Sequence, residues 1–404
     1  MTHIVVIGAG QAGSSLVAKL RTQGFDGQIT LVGAEAVPPY QRPPLSKAYL
    51  MGEMAEERLY LRPAAFYADH QIDLRLDTRA IAIDPGARTV ALSDDSTLSY
   101  DHLALTTGSH PRTLPASIGG MLDGVFCVRD LKDADAMAPA FIAGKRVLII
   151  GGGYIGLEAA AVASKLGLHV TLVEMADRIL QRVAAPETSN YFRNLHQSHG
   201  VDIREGVGLD RLTGEGHVSG ATLTDGTVLE IDFAIVGVGI MPASILAESA
   251  GLATRNGITT NALGQTSDPH IWAAGDCASS VFKSETIRLE SVGNAIDQAE
   301  TVAVNMLGAD QPYTPKPWFW SDQYDCKLQI AGLNTGYDAV YVRMGDTAGV
   351  QSNWYYKGDT LLAVDAMNDP RNYMIGKRLI EAGKSPSAAA ITDPATDMKG
   401  LLSA

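Results

Sequence analysis

The sequence predicts an α/β protein in which two Rossmann-like dinucleotide-binding domains precede a C-terminal α+β domain. Three observations lead there. A unit of strand, glycine turn, helix, strand and acid occurs twice; a turn-rich stretch with β-branched residues follows each copy; and from about residue 312 the texture shifts to aromatic and alternating runs. A chain of 404 residues exceeds what one hydrophobic core fills, and 41 glycines against 8 phenylalanines suit a protein full of tight strand-to-helix turns.

The first copy begins with an apolar strand, His3–Ile7, and enters Gly8-Ala9-Gly10-Gln11-Ala12-Gly13. A helical pattern follows through Leu16 and Leu20, then a second strand, Gln28–Val32. The second copy runs Arg146–Ile150, Gly151-Gly152-Gly153-Tyr154-Ile155-Gly156, a helix over Ala159 to Leu166, and His169–Val173. Glu35 and Glu174 lie 27 and 23 residues after the first glycine of their motifs, near the spacing that reaches a ribose hydroxyl. A lone G-x-G-x-x-G is as often an ordinary glycine turn, but two in full context imply two dinucleotide sites.

The glycines have a physical task. Backbone must approach a pyrophosphate closely, with unpaired helix N–H groups aimed at its oxygens. Gly8, Gly10 and Gly13 do this in the first unit; Gly151, Gly153 and Gly156, with Tyr154 and Ile155 opening the helix, do so in the second. A carboxylate at Glu174 repels a 2′-phosphate, so the second site is expected to prefer NADH, although Arg178, four residues on, is placed to neutralise a phosphate.

Meanders are expected over about Leu74–Leu105 and Val201–Val236. Beyond residue 312, Trp318, Phe319 and Trp320 read as packing, followed by strands at Lys327–Ile330, Val340–Val342 and Trp354–Tyr356, a helix near Met374–Ala382, and a loose tail after Lys384.

Bulk properties narrow the function. A net charge of −13 argues against nucleic-acid binding, which needs a basic surface. The apolar stretch Val147 to Val173 is interrupted by Gly151, Gly152, Gly153, Glu158, Lys165 and His169, which fits a buried strand–helix–strand unit better than a membrane span; with no leader-like segment before the first strand, a soluble cytoplasmic protein is expected. Cys127, Cys277 and Cys326 form no C-x-x-C pair, so neither a local redox dithiol nor a metal site is written here.

Five further segments carry a resemblance: Pro39-Tyr40-Gln41-Arg42-Pro43-Pro44-Leu45-Ser46-Lys47, Thr106-Thr107-Gly108-Ser109, Thr266 to Asp276 ending in Ala274-Gly275-Asp276, Glu290-Ser291-Val292-Gly293-Asn294-Ala295, and Pro317-Trp318-Phe319-Trp320-Ser321-Asp322. In this order, over nearly the whole chain, they resemble the FAD-dependent pyridine-nucleotide oxidoreductases, in particular the putidaredoxin-reductase-type ferredoxin reductases of oxygenase systems. The resemblance implies a glutathione-reductase-like fold with a discontinuous FAD-binding domain (1–115 and 245–320), an NAD-binding domain (116–244) and a C-terminal α+β domain (321–404). It implies FAD at Gly8, Gly10, Ala12, Gly13, Glu35, Arg42, Lys47, Ala80, Arg129, Asp276 and Val292, with Asp276 at a helix N-terminus. The NAD set is Gly151, Gly153, Tyr154, Ile155, Gly156, Glu174 and Gly239. Without the resemblance, Arg42 and Arg129 read as surface cations and Ala80 and Val292 as core.

Relatives pair a lysine and a glutamate beside the flavin, which assigns Lys47 and Glu158 here; Trp320 falls where relatives place an aromatic near the isoalloxazine and the docking face. The implied activity is NADH-dependent reduction of a [2Fe–2S] ferredoxin that serves a haem-thiolate monooxygenase or a ring-hydroxylating dioxygenase, by a monomer or weak dimer. Pro44-Leu45-Ser46-Lys47 holds no cysteine, which disfavours disulfide reduction. Rubredoxin reductase, NADH oxidase or quinone reductase, and a non-enzymatic NADH-binding protein like apoptosis-inducing factor remain alternatives. Arg371, Lys377, Arg378 and Lys384 are candidate docking cations for an acidic ferredoxin; the competing reading is a solvated helix face.

Overall fold

The computed structural model describes residues 1–282 and 285–403, and groups them into two compact units. The first comprises 1–41, 55–110 and 240–317; the second comprises 42–54, 111–239 and 318 onward.

In the first unit a five-stranded parallel sheet runs in the order Ile271–Ala273, His102–Leu105, His3–Ile7, Gln28–Val32, Ile72–Arg75. Both faces are covered, so its strands are almost continuously apolar. Helices Gln11–Thr22 and Val292–Met306 bury Leu16, Leu20, Ala299 and Val302 against one face. On the other face, Val90 and Leu92 of an antiparallel meander (Ala80–Asp84, Thr89–Leu92, Thr97–Ser99) meet Val5 and Ile7. The stretch read as one meander over Leu74–Leu105 is thus narrower. Strands Ile72–Arg75 and His102–Leu105 at its ends join the parallel sheet instead, pairing with Gln28–Val32 and His3–Ile7.

The second unit repeats the plan: Asp202–Glu205, His169–Glu174, Arg146–Ile150, Phe233–Val236 and Val125–Phe126 form a parallel sheet, and Leu209–Glu215, His217–Leu223 and Val228–Glu230 form the meander. An antiparallel sheet then runs Trp318–Gln323, Cys326–Gly332, Thr360–Met367, Gln351–Lys357, Ala339–Met344, and its Cys326, Leu328 and Met367 share a core with Leu157 and Val162 of helix Tyr154–Lys165. The sequence reading missed the strand Thr360–Met367. The last long helix begins earlier than expected, at Pro370, capped by Asp369 on the Asn372 N–H.

The segment after Lys384 is not loose. Ile391 and Met398 are buried, and the Arg343 guanidinium donates to the carbonyls of Ile391, Asp393 and Pro394 at 2.9, 2.6 and 3.1 Å. A polar, alanine-rich tail gave no apolar period long enough to reveal this. Among the described residues no helix is long and apolar enough to cross a membrane.

Within the second unit, His196 of helix Pro186–Ser198 is fully buried against Gln323, and burial, with His199 nearby, pulls its pKa down to about 4. Between pH 6.5 and 4 the unfolded chain therefore binds a proton that the folded chain refuses. This contribution to stability is full above that window and is lost on acidification through it, by about 3 kcal/mol in all. Asp365, which accepts from Thr188 and Tyr355, tilts the other way: burial raises its pKa from 3.8 to about 6, so its contribution is lost as pH rises through 6. His196→Asn is expected to flatten the acid loss of stability, read as the change in urea midpoint between pH 7 and pH 5. An unchanged slope would mean that the imidazole is not held neutral.

Candidate active site

Each glycine motif separates into two closed positions and one open one. In the first unit Gly8 has φ +112°, and a Cβ there would lie 2.2 Å from the Thr106 carbonyl oxygen; a Cβ on Gly13 would lie 2.1 Å from the Gly8 oxygen. A Cβ on Gly10 meets nothing within 4 Å. The second unit repeats this: Gly151 has φ +109° with the Gly237 oxygen at 2.4 Å, Gly156 has the Gly151 oxygen at 2.1 Å, and Gly153 is open. The outer glycines are required by the protein's own packing. The middle ones, N-caps of helices Gln11–Thr22 and Tyr154–Lys165 with no side-chain cap, are not required by that packing, and they leave the helix N–H groups open to an approaching anion.

Glu35, just past its strand, accepts from the Tyr40 hydroxyl at 2.5 Å. Ala12 is buried on the first helix, while Ala80 and Val292 are half-buried, opening the strand Ala80–Asp84 and the helix Val292–Met306. Asp276 corrects an expectation. It stands in the turn between strands Ile271–Ala273 and Ala278–Phe282, and the nearby helix starts only at Val292, capped by Ser291. The residues after Asp276 form a strand rather than a helix. Ser109 Oγ donates to its carboxylate at 2.9 Å, and Arg288 holds its carbonyl at 3.0 Å.

The remaining FAD candidates, Arg42, Lys47 and Arg129, lie in the second unit. Arg42 donates to the Arg129 carbonyl at 2.7 Å. Two prolines open a short turn, Pro43–Ser46, that buries Leu45 and Ser46 and delivers Lys47 to Glu158 of helix Tyr154–Lys165. The Lys47 Nζ–Glu158 Oε1 distance is 2.9 Å, with the side chains 15% and 4% exposed. Burial pushes the Glu158 carboxyl up, and the Lys47 ammonium and the hydroxyls of Ser321 and Ser46 oppose it.

Of the NAD candidates, Glu174 accepts from the N–H groups of Gly152 and Ala176 at 2.7 and 2.8 Å, which pins its carboxylate over the glycine turn. Tyr154 lies tilted against Phe319, ring centroids 4.9 Å apart, and its buried hydroxyl, which has no hydrogen-bond partner, is pushed far above a phenol's usual range by burial. Ile155 is exposed, and Gly239 sits near Arg182 and Arg112. Arg178, the candidate phosphate rescuer, is instead engaged with Ser189 Oγ at 2.5 Å and the Gln181 carbonyl.

Trp320 is half-buried and stacks on Trp318, centroids 5.5 Å apart. Strand alternation sets the two on the face opposite Phe319, Ser321 and Gln323, so Trp320 is not brought to the Lys47–Glu158 pair. Lys377 lies over the Trp318 ring at 5.5 Å, Arg371 pairs with Asp397, Lys384 donates to the Leu402 carbonyl, and Arg378 is exposed. The sequence reading missed Ser46 and Ser321 as partners of Glu158; Ser46 was signalled by its place beside Lys47, and Ser321 only by the alternation that follows Phe319. All three cysteines are free thiols, and none lies in the segment 42–54.

The pyridine nucleotide-disulphide oxidoreductase pattern matches residues 2–299, and a reductase C-terminal pattern matches 318–402. The chain belongs to the pyridine nucleotide-disulphide oxidoreductase family. Membership brings FAD and a nicotinamide dinucleotide as cofactors, and the two cradles fit two such pyrophosphates. The chain is similar to the ferredoxin–NAD(P)+ reductase of a Sphingomonas species, 42% identical over 99% of this chain and 98% of that protein. It is similar to putidaredoxin reductase of Pseudomonas putida, 41% identical over 100% and 97%. The structure of the covalent putidaredoxin reductase–putidaredoxin complex superposes with a TM-score of 0.96 at 40% identity, covering 100% of this chain and 98% of that one. In this family member the cysteine pair that the family name evokes is absent from 42–54, which instead contributes Lys47 to an ion pair with Glu158.

Proposed function

We propose that this chain is an NADH-dependent ferredoxin reductase that supplies single electrons to a [2Fe–2S] ferredoxin of a haem-thiolate monooxygenase or ring-hydroxylating dioxygenase system. The observation that carries the reading is the pair of matching glycine cradles on two separate parallel sheets. One chain thereby has a site for a resident dinucleotide and a site for a diffusible one. The names of the similar reductases, which specify ferredoxin or putidaredoxin, support the acceptor class. In this reading residues 1–115 with 245–320 serve FAD, 116–244 serve NADH, and 321–404 form the α+β domain.

FAD, when bound, takes a hydride and gives up electrons singly. The chain's own residues supply place and charge. Gly8, Gly10 and Gly13 would admit the FAD pyrophosphate to a helix N-terminus, with Ala12, Glu35, Ala80, Asp276 and Val292 of the same unit as its further contacts. Gly151, Gly153, Gly156, Tyr154, Ile155 and Gly239 serve NADH in the same way. Lys47, held by Glu158, places a positive charge where reduction adds a negative one, and Trp320 serves the path to the acceptor. The chain's own residues would offer position and electrostatics and no general acid or base, which is all that a hydride transfer would ask of them.

The preference for NADH rests on Glu174. Its carboxylate is fixed by two backbone N–H groups, so it cannot swing away from a 2′-phosphate, and the Arg178 guanidinium is engaged elsewhere. Cytochrome c reduction by the holoprotein, with and without a [2Fe–2S] ferredoxin, tests both points. The expected result is strong ferredoxin dependence and a kcat/KM for NADH above that for NADPH by about tenfold or more. Fast flavin reduction with no ferredoxin stimulation would reject the acceptor, and equal use of NADPH would reject the cofactor preference.

A further inference from the structure

Glu158 is the end of a buried hydrogen-bonded string inside the second unit. Ser321 Oγ donates to Glu158 Oε1 at 2.7 Å, and Gln323 Nε2 donates to Ser321 Oγ at 3.1 Å. Gln323 Oε1 meets His196 Nε2 at 2.8 Å, and His196 Nδ1 meets the Tyr324 hydroxyl at 3.2 Å. Ser321, Gln323 and His196 are all buried, and Tyr324, stacked on His199 at 3.7 Å, marks the solvent end. The geometry follows from two periodicities. Positions 319, 321 and 323 share one face of their strand, and Tyr154 and Glu158 share one face of their helix, so Phe319 meets Tyr154 and Ser321 meets Glu158.

Donor and acceptor rules fix the direction of every link. A carboxylate accepts only, so Ser321 must give its single hydrogen to Glu158 and can then only accept from Gln323. The Gln323 amide NH2 therefore faces Ser321, and its carbonyl faces His196. A carbonyl also only accepts, so His196 carries its hydrogen on Nε2, and the bare Nδ1 accepts from Tyr324. Turning the Gln323 amide over would set its carbonyl against Ser321, whose hydrogen would then leave Glu158, and two acceptors would face each other at 2.7 Å. All four links thus point hydrogen toward Glu158, and the neutral state of His196 is the one this order needs. The string carries orientation rather than protons, since the Gln323 amide has no titrating proton to pass on.

We propose that Ser321, Gln323 and His196 are positioning residues that hold Glu158 as an oriented carboxylate against Lys47, and that flavin reduction depends on them. This rests on the assignment of the Lys47–Glu158 pair to flavin reduction. Among titratable neighbours, Lys47 comes from the turn before it and Tyr154 from the same helix, while Asp322 lies on the far face of the Trp318–Gln323 strand; His196 is faced by His199 and Tyr324.

The test is an infrared titration of protonated carboxyl in the holoprotein, with Glu158→Gln identifying the band, beside stopped-flow flavin reduction by NADH across pH. Ser321→Ala should move the Glu158 midpoint up by about one pH unit, because a buried carboxylate loses a hydrogen bond. Gln323→Leu should move it in the same direction by less, and Ser321→Thr should restore it. Flavin reduction at pH 7 should slow by about three- to tenfold in Ser321→Ala, with its pH profile displaced as far as the infrared midpoint. A midpoint unchanged in both Ser321→Ala and Gln323→Leu overturns the proposal, as does a displaced midpoint with an unmoved rate profile. Should Ser321→Ala fail to fold, Gln323→Leu gives the same reading. A wild-type flavin that NADH does not reduce would reject the functional assignment, while the infrared midpoints would still decide whether the string holds Glu158.

Discussion

Lys47→Met should lower the urea midpoint of the protein and slow flavin reduction by NADH. The side chain keeps its stem and loses its charge, which leaves the Glu158 carboxylate 4% exposed without its counter-ion. Breaking a buried pair from one side costs about 3–5 kcal/mol, far more than an exposed pair is worth. Glu158 limits the loss by taking up a proton, since burial already raises its pKa and removing the ammonium raises it further. Glu158→Gln should cost less, because the stranded Lys47 is 15% exposed on a flexible stem and can reach water. The double variant should be more stable than Lys47→Met alone, since it buries no unpaired charge. Urea unfolding of the four proteins checks this ordering. Equal, small losses for the two single variants would mean that the pair is solvated and does not hold a charge in place.

The parts of the fold that were legible in the sequence are those whose periodicity is set by local burial. Strands such as His3–Ile7 and Arg146–Ile150 are covered on both faces and therefore read as unbroken apolar runs ending in glycine. Chain partners far apart in sequence were less visible. Nothing local distinguishes Ile72–Arg75 from the meander beside it, since its place in the parallel sheet is set by pairing with Gln28–Val32. Asp276 was placed at a helix N-terminus by resemblance alone; the turn instead feeds Ala278–Phe282, which pairs with Glu285–Ile287. At the candidate site, Lys47 and Glu158 were identified through resemblance, and their hydrogen-bond partners were not. Ser321 lies 163 residues from Glu158, and a small buried hydroxyl in an aromatic strand carries no sequence signal of its acceptor. The tail was misjudged for a related reason: Arg343 anchors it through backbone carbonyls, which have no sequence identity to read.

Alanine at Gly10 and at Gly13 should fail in different ways, although a sequence motif treats the two glycines alike. A Cβ at Gly13 would come within 2.1 Å of the Gly8 carbonyl oxygen, a backbone atom that cannot rotate away, so the first helix must shift from its turn. Such overpacking costs about 1–3 kcal/mol, and the loss should appear in the apoprotein as well as the holoprotein. A Cβ at Gly10 meets no protein atom within 4 Å, so Gly10→Ala should unfold at the wild-type urea midpoint as apoprotein. Its methyl group nevertheless projects where the pyrophosphate must approach, and FAD affinity should fall by about tenfold or more, read by quenching of flavin fluorescence. The second cradle repeats the experiment independently. Gly156→Ala should destabilise, because its Cβ would lie 2.1 Å from the Gly151 oxygen, whereas Gly153→Ala should raise the KM for NADH and leave flavin content unchanged. A loss of stability at Gly10 and Gly153 equal to that at Gly13 and Gly156 would show that the open glycines serve the fold. Wild-type stability with weakened binding at only the open pair would assign them to ligand, since nothing in the protein itself requires them to be bare.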